Sequence, residues 1–259
     1  MTPLIDAHLH LDLLPDPRRA LADLVAAEHQ AIAVTNAPSV FEWTQRLVTN
    51  APLVYAALGL HPELAVQRER ELPLMWELLP KTRYVGEVGL DYVTRSRSER
   101  AAQRRIFEHI VDACDAAGDK ILSVHSRRAA ADVIKILEGI RGTVILHWFS
   151  GTANQLLRAA EAGFFFSINP SMGASRQGRE LMRQMPSNQV MTESDAPFAQ
   201  VDGRPVATAD ILKFSEMLAM LWGCEPQEVQ QSLRRTFEHV TRYAPPKDFN
   251  DDGLEWIRR

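Results

Sequence analysis

Eight short apolar runs alternate with segments of helical periodicity, and this alternation constrains the fold more than any other feature of the chain. The runs predict strands at 4–8, 31–35, 53–59, 83–87, 121–125, 143–147, 164–168 and 190–194. Strict alternation of strand and helix is typical of parallel strands joined by right-handed crossovers. Eight such units in 259 residues predict one α/β domain, residues 1–259, folded as a (β/α)8 barrel.

Start and stop signals predict the helices between these strands. The signals are Asp16-Pro17 for the first helix, a Ser39/Glu42 capping box for the second, Ser98 to Gly118 for a long helix, Ser126 as a cap, and Thr152 to Gly163. From about 207 to 243 the pattern predicts two helices separated near Pro226, and the polar tail from Pro245 onward predicts a loop with at most a short helix.

Composition excludes several classes of protein. Hydrophobic residues make up 46% of the chain, which excludes a disordered protein, and no apolar run is long enough to span a membrane. The segment Met1–Asp6 lacks a signal-peptide core, so we expect a cytoplasmic protein without a membrane partner. The net charge of −4 is not typical of a protein that coats long duplexes. It still allows an enzyme that grips one strand end through a few phosphate contacts.

Polar residues of metal-binding or acid–base type follow six of the eight predicted strands. They are His8, His10, His61, Glu87, His125, His147 and Asp195. The C-terminal ends of barrel strands meet on one face, where active sites are built. Imidazole and carboxylate groups that converge there suit a divalent cation with open positions for water and substrate.

The spacing within two motifs supports this interpretation. His8 and His10 are two residues apart in an extended segment, so both rings point the same way, and Asp6 shares their parity. Glycines flank Glu87, which would let the backbone pass close to a ligand, and its two oxygens could bridge two cations. The alternative for Glu87 is a turn residue that forms a salt bridge.

Four further residues have a suggested role in the site, and for three of them a second interpretation is open. Asp195 could bind metal and accept a proton from attacking water. His61 could orient a phosphate or cap a following helix, and Arg127 could contact a phosphate or be structural. Tyr92 could stack on a base or pack against its neighbours.

Taken together, the motifs resemble the TatD family of metal-dependent deoxyribonucleases, among the amidohydrolase-like barrels. The matching stretches are Asp6–His10, Gly59–Pro62, Gly86–Tyr92, His125–Arg127, His147–Gly151 and Glu193–Pro197, in the family's order. The resemblance implies hydrolysis of DNA phosphodiesters, often as a 3′-to-5′ exonuclease, with single-stranded DNA or DNA ends as the partner. The implied metal ligands are His8, His10, Glu87, His125, His147 and Asp195. Glu87, Asp195 and His61 are implied as catalytic residues, and His61, Arg127 and Tyr92 as substrate contacts.

Three features depart from the family's usual pattern. Trp148 stands where the family usually has Cys, Ser194 stands where it usually has Thr, and the stretch Asn169–Met172 is unusual. These features look like the TatD-like proteins of bacterial anti-phage cassettes of the Qat type. That resemblance would imply protein partners in a defence system.

The mechanism that follows uses one or two divalent cations, which could be zinc, manganese or magnesium. His8 and His10 would hold one ion, His125 and His147 the other, with Glu87 between them. Either Asp195 or Glu87 would take the proton of the attacking water. Two other functions stay open: an amidohydrolase-type hydrolase acting on a small substrate, and a catalytically idle partner-binding subunit. Many such hydrolases bridge their metals with a modified lysine, whereas Lys120 lies at the start of its strand, which favours the nuclease.

Overall fold

Eight parallel strands, paired in chain order, form the centre of the fold. In the computed structural model, residues 3–242 are described, except for the side chains of Thr208, Ala209 and Arg242. The strands are β1 (Ile5–Leu9), β2 (Gln30–Val34), β3 (Val54–Ala57), β4 (Tyr84–Gly89), β5 (Ile121–His125), β6 (Thr143–His147), β7 (Phe165–Ile168) and β8 (Val190–Thr192). Each of them lies where an apolar run predicted it.

Two seams join these strands into a ring. Between β3 and β4, Leu58 pairs with Val85, and the backbone N–H of Gly86 donates to Leu58 at 2.8 Å. Between β8 and β1, the N–H of Asp195 donates to the carbonyl of His8 at 2.9 Å, and the Thr192 hydroxyl donates to the carbonyl of Ile5 at 2.6 Å. The predicted (β/α)8 barrel is therefore confirmed.

Helices surround the strands. They are α1 (Pro17–Ala26), α2 (Pro38–Val48), α3 (Ala65–Arg68), α4 (Leu72–Leu78), α5 (Arg97–Ala117), α6 (Ala130–Leu137), α7 (Ala153–Glu161), α8 (Pro170–Ala174), α9 (Arg176–Gln184), α10 (Thr208–Trp222) and α11 (Pro226–Arg242). A short hairpin, β9 (Gln200–Val201) and β10 (Arg204–Pro205), follows β8. The predicted tail from Pro245 onward lies outside the described residues. No helix within residues 3–242 is long and apolar enough to cross a membrane, and a cytoplasmic location stays a prediction.

Two of the predicted helix starts are confirmed. The carboxylate of Asp16 accepts a hydrogen bond from the N–H of Arg19 at 2.9 Å and caps α1. Thr152 and Gln155 form a reciprocal capping box at the start of α7. Both signals are strictly local, so the sequence alone specified them.

Three other predicted caps are wrong. α2 begins at Pro38, and the N–H of Ser39 donates to Glu71 instead of taking part in a capping box. α5 is capped by Ser96, two residues before the predicted start at Ser98. α6 begins only at Ala130, so Ser126 does not cap it. No side chain caps α2 or α6, and at α5 the hydroxyl of Ser96 is used instead of that of Ser98.

The apolar core lies in two regions. One fills the space between the strands and the surrounding helices, and it includes the buried free thiol of Cys114. The other lies inside the barrel, where Ile5, Ile32 and Ile145 meet Phe237 and Val240 of α11. The N-terminal half of the barrel interior is therefore apolar and covered by α11, while the polar strand ends lie at the other end.

Irregular pairing in two strands turns key side chains into the barrel. The register of β1 shifts between Asp6 and Leu9, and that of β4 shifts between Val85 and Val88. In β1, Ile5 and Ala7 belong to the inner core but Leu9 belongs to the outer one. The alternation of inward and outward side chains thus changes at His8. Asp6 therefore lies on the other face of β1 from His8 and His10, and the prediction that the three side chains point the same way is wrong.

Close contact between strands, rather than a ligand, accounts for the glycines near Glu87. A Cβ added at Gly89 would lie 2.1 Å from the carbonyl oxygen of His125. One added at Gly59 would lie 1.8 Å from the carbonyl oxygen of Thr35 and 2.4 Å from the backbone nitrogen of Glu87. These glycines let β2, β3, β4 and β5 approach closely where their strand ends carry the polar residues.

Gly59→Ala should therefore destabilise the fold by about 3 kcal/mol or more, because the backbone of Thr35 and Glu87 must move. Gly163→Ala is the matched control, since Gly163 has a φ of +80° but open space around its Cα. Left-handed strain alone should cost about 1 kcal/mol there. Urea unfolding followed by circular dichroism measures both. Equal stability of the two variants would contradict the close approach described for Gly59.

Candidate metal centre

The carboxylate of Glu87 lies at the centre of the polar end of the barrel. Its side chain is only 3% exposed and contacts five of the eight histidines of the chain. Oε2 lies 3.5 Å from Nε2 of His8 and 3.2 Å from Nε2 of His10. The distances from Oε1 are 2.6 Å to Nδ1 of His125, 2.9 Å to Nε2 of His147 and 3.3 Å to Nε2 of His61. Each carboxylate oxygen thus faces a different group of histidines.

Asp195 completes the group around Oε2 of Glu87. Its Oδ1 lies 3.5 Å from Nε2 of His10 and 3.7 Å from Nε2 of His8. Asp195 has a φ of 45°, a left-handed conformation that aspartate tolerates better than most residues. Hydrogen bonds from the backbone of Asp195 to His8, and from Phe198 and Ala199 to the carbonyl of Asp195, hold that conformation.

The spacing of these atoms fits a divalent cation. Zinc–nitrogen bonds of about 2.0–2.1 Å at tetrahedral angles separate two ligand atoms by about 3.3 Å. Nε2 of His8 and Nε2 of His10 lie 3.3 Å apart, and each lies 3.2–3.5 Å from Oε2 of Glu87. In the group around Oε1, Nδ1 of His125 and Nε2 of His147 are also 3.3 Å apart, although both approach Glu87 at hydrogen-bond distance. The residues present therefore fit one cation near Oε2 and have the donors for a second near Oε1.

Hydrogen bonds outside the cluster orient two of the histidine rings towards Glu87. Nδ1 of His8 lies 2.7 Å from the hydroxyl of Ser123, and Nε2 of His125 lies 2.9 Å from Oδ2 of Asp91. When the outer N–H groups donate to Ser123 and Asp91, a bound cation could replace the proton on the inward nitrogen of each ring. Asp91 is itself fixed, because its Oδ1 accepts from the N–H of Val93 at 2.7 Å.

Glu193 supports His147 from the other side. Its oxygens accept hydrogen bonds from the N–H of Trp148 at 3.1 Å, from the amide of Asn169 at 2.9 Å and from the hydroxyl of Ser167. Oε2 lies 3.7 Å from Nδ1 of His147, which is buried and has no hydrogen-bond partner among the described residues. Glu193 is thus a fully buried carboxylate with three donors, next to the ring it supports.

His61 has a different bonding pattern from the other four histidines. Its Nδ1 accepts a hydrogen bond from the N–H of Glu63 at 3.2 Å. The proton must then be on Nε2, which points at Oε1 of Glu87 as a donor. In this tautomer His61 is suited to donate to a phosphate oxygen, although it also lies close enough to Glu87 and His125 to share a cation with them after losing that proton.

The pKa shifts of His10, His147 and Glu87 indicate that these groups stabilise positive charge, whereas burial lowers the pKa of His8. Burial alone would lower the pKa of His10, but the carboxylates of Asp195 and Glu87 raise it to about 9. Burial is likewise outweighed at His147, whose pKa Glu87 and Glu193 raise well above its ordinary value. For Glu87, burial favours the neutral form, yet the histidines, His61 and His147 foremost, hold its pKa well below the usual range. A cation bound here would take the place of these imidazole protons.

A cavity of about 560 Å³ opens above the cluster. The cluster residues His10, His61, Glu87, His125, His147 and Asp195 line it, together with Asn36, Glu63, Leu64, Asp91, Ser126, Arg127, Trp148, Ser150 and Phe198. Arg127 is exposed at its rim. The structure does not bring Tyr92 into this cavity. The Tyr92 hydroxyl donates to Asp132 at 2.9 Å and the ring lies beneath Arg100, beside a neighbouring cavity of about 300 Å³. A substrate contact by Tyr92 stays a prediction.

Several residues of this region were not identified from the sequence. Asn36 follows β2 and Asn169 follows β7, the two strands for which no site residue was predicted. Ser123 is a polar residue inside an otherwise apolar run, two positions before His125, and this position could have revealed its role. Lys120 precedes β5, where its Nζ donates to the carbonyl of Thr82 at 2.8 Å, so it lies at the opposite end of that strand from His125.

Comparison with known proteins agrees with this site. The profile of the family described as TatD related DNase matches residues 5–242. A relative from Mycobacterium tuberculosis, named an uncharacterized metal-dependent hydrolase TatD, is 33% identical over 212 residues, which cover 75% of this chain and 80% of that protein. Human deoxyribonuclease TATDN3 is 29% identical over 215 residues, covering 75% of this chain and 78% of that protein.

A solved structure shares the fold. The crystal structure of YJJV, a TatD homologue from Escherichia coli K12, superposes with a TM-score of 0.79 and 24% identity, covering 92% of this chain and 97% of the other. Because the family profile spans nearly all of the described residues, the chain belongs to the TatD family of metal-dependent hydrolases.

Proposed function

We propose that this protein hydrolyses phosphodiester bonds of DNA with the help of one or two divalent cations. The observation that carries the proposal is the position of Glu87, whose two oxygens face two separate groups of histidines beneath an open cavity. A carboxylate with this environment suits a centre that neutralises the charge of a phosphodiester. The family description and the name of the human relative supply DNA as the substrate.

We assign the metal ligands as follows. His8, His10 and Asp195, with Oε2 of Glu87, would hold one cation. His125 and His147, with Oε1 of Glu87, would hold the other. Divalent cations in such a centre act as Lewis acids that lower the pKa of water and neutralise charge on phosphate. The mixed imidazole and carboxylate donors are compatible with zinc, manganese or magnesium.

Asp195 is the better proton acceptor of the two candidates. Glu87 contacts five histidines, and both of its oxygens are engaged by them. Asp195 contacts only His8 and His10 among the described histidines and lines the cavity. We therefore assign to Asp195 the acceptance of the proton from attacking water.

His61 and Arg127 would orient the phosphate. The N–H at Nε2 of His61 and the guanidinium of Arg127 are both donors at the cavity that holds the cluster. A guanidinium matches two oxygens of one phosphate group, which suits alignment for in-line attack.

Two finer assignments come from the sequence resemblance. One is 3′-to-5′ removal of nucleotides from single strands or ends. The other is a role in anti-phage defence with protein partners, suggested by Trp148, Ser194 and Asn169–Met172. Plaque counts in cells carrying the wild type or Asp195→Asn test the second, and equal counts would contradict it.

A panel of labelled single-stranded, double-stranded and RNA oligonucleotides with Mg²⁺, Mn²⁺ or Zn²⁺ tests the activity itself. We expect cleavage of DNA that depends on added metal. Labels at the 3′ and 5′ ends in separate reactions give the polarity. If no metal supports cleavage of any DNA substrate by the wild type, the proposed function is wrong.

Glu87→Ala should lower metal affinity by at least about tenfold, because even residues that only support a ligand change affinity by about 10- to 100-fold. His109→Ala is the control, since His109 lies on the exposed side of α5. Elemental analysis and Mn²⁺ titration measure the difference. Equal metal content in wild type and Glu87→Ala would exclude Glu87 as a ligand.

Asp195→Asn should reduce turnover by about 10²-fold or more while the protein stays folded by circular dichroism. Asp202→Asn provides the matched control. Asp202 is exposed and has a similar left-handed φ of 51°, so the exchange imposes the same backbone demand away from the cavity. Asp195→Asn with turnover close to that of Asp202→Asn would show that another group accepts the proton.

Arg127→Ala should raise KM about tenfold and change kcat less, since a charged hydrogen bond to phosphate acts mainly in binding. The neighbouring Arg128→Gln removes the same charge outside the cavity lining and should leave KM unchanged. Steady-state kinetics on a short DNA substrate give both constants. A fall confined to kcat would instead place Arg127 in the chemical step.

A further inference from the structure

Two aromatic side chains lie at the cavity that contains the cluster. Phe198 is 53% exposed, although most large apolar side chains of the described fold are buried. Its ring meets the His10 ring edge to face, with centroids 4.9 Å apart. Trp148 is partly buried and lines the same cavity from the end of β6. Neither ring has a function in the chemistry assigned above.

The backbone under both rings is firmly held. Trp148 has a φ of 40°, an unfavourable conformation for a bulky residue, and its N–H lies 3.1 Å from both Glu193 and the carbonyl of Ser167. The N–H of Phe198 donates to the carbonyl of Asp195 at 2.8 Å. Strain that the surroundings maintain is typical of functional positions. The backbone that carries both rings is therefore fixed relative to Glu193 and Asp195.

Apart from the proposed cations and His61, the cavity lining offers few groups that could hold the phosphates of a nucleic acid. Among the described residues that line it, Arg127 is the one arginine or lysine, and Glu63 adds a negative charge at the rim. The whole chain has a net charge of −4. Phosphate contacts, which dominate the affinity of most nucleic-acid-binding proteins, are thus few here. The volume of about 560 Å³ suits a small ligand portion and not a duplex.

We propose that Phe198 and Trp148 form a nucleobase subsite, in which Phe198 stacks on the base of the nucleotide next to the cleaved phosphodiester and Trp148 forms a second wall. This inference rests on the proposed function and adds to it the group that binds the substrate. Aromatic rings stack on all four bases, because every base has a π face. The subsite therefore requires an unpaired base without selecting its identity, and recognition depends less on salt than phosphate-based binding does.

The experiment compares single-stranded tetranucleotides in which one position at a time is abasic. Wild-type protein should cleave one of the abasic substrates with a kcat/KM about tenfold or more below that of the intact one. Phe198→Ala should remove most of this difference by slowing only the intact substrate, mainly through KM. Phe198→Leu keeps an apolar side chain without a ring and should also lose the preference. Trp148→Ala should reduce the difference in part.

Trp43→Ala is the control, because Trp43 is a 40% exposed aromatic residue on α2 that does not line the cavity. It should retain the full preference for an intact base. Metal content is measured in every variant, since Phe198 touches His10. If Phe198→Ala slows intact and abasic substrates equally and loses metal, Phe198 only supports His10 and the subsite is wrong. Equal cleavage of all substrates by the wild type would also overturn the subsite while leaving the nuclease intact. No cleavage at all would overturn the nuclease itself.

Discussion

The site depends on one buried carboxylate surrounded by imidazoles. A negative charge as deeply buried as that of Glu87 is unfavourable unless positive charge or hydrogen-bond donors surround it. Five histidine rings meet this requirement, and they can do so as protonated groups or around bound cations. Hydrogen bonds to Ser123 and Asp91 orient the rings of His8 and His125 around this carboxylate.

Much of this could be predicted from the sequence, because the information is local to the strand ends. His125 and His147 each close an apolar run that becomes a strand, and the common direction of parallel strands then brings them to one end of the barrel. The same reasoning located Glu87 and Asp195. Only the assumption of parallel strands was needed, and the ring of eight strands satisfies it.

What could not be predicted depends on contacts between distant segments. The phase change at His8 arises from irregular pairing with β2, which no pattern within β1 reveals, and it turned Asp6 away towards the N–H of Ser194. The hydroxyl of Tyr92 is engaged by Asp132, forty residues later in the chain. Asn36 follows its strand without a recognisable motif, and the stretch that begins at Asn169 was noted only as unusual. The positions of both residues at the site therefore emerge only when the barrel closes.

The helix α11 has a consequence for the order in which the barrel can be completed. Phe237 and Val240 fill the apolar interior between strands that are separated in sequence, including β1 and β8. During synthesis all eight strands emerge before this helix does. Until then Phe237 and Val240 do not cover Ile5, Ile32 and Ile145. A ribosome-bound chain that already has every residue of the candidate metal centre thus still lacks α11, and the apolar surface that this helix covers could be recognised by a chaperone.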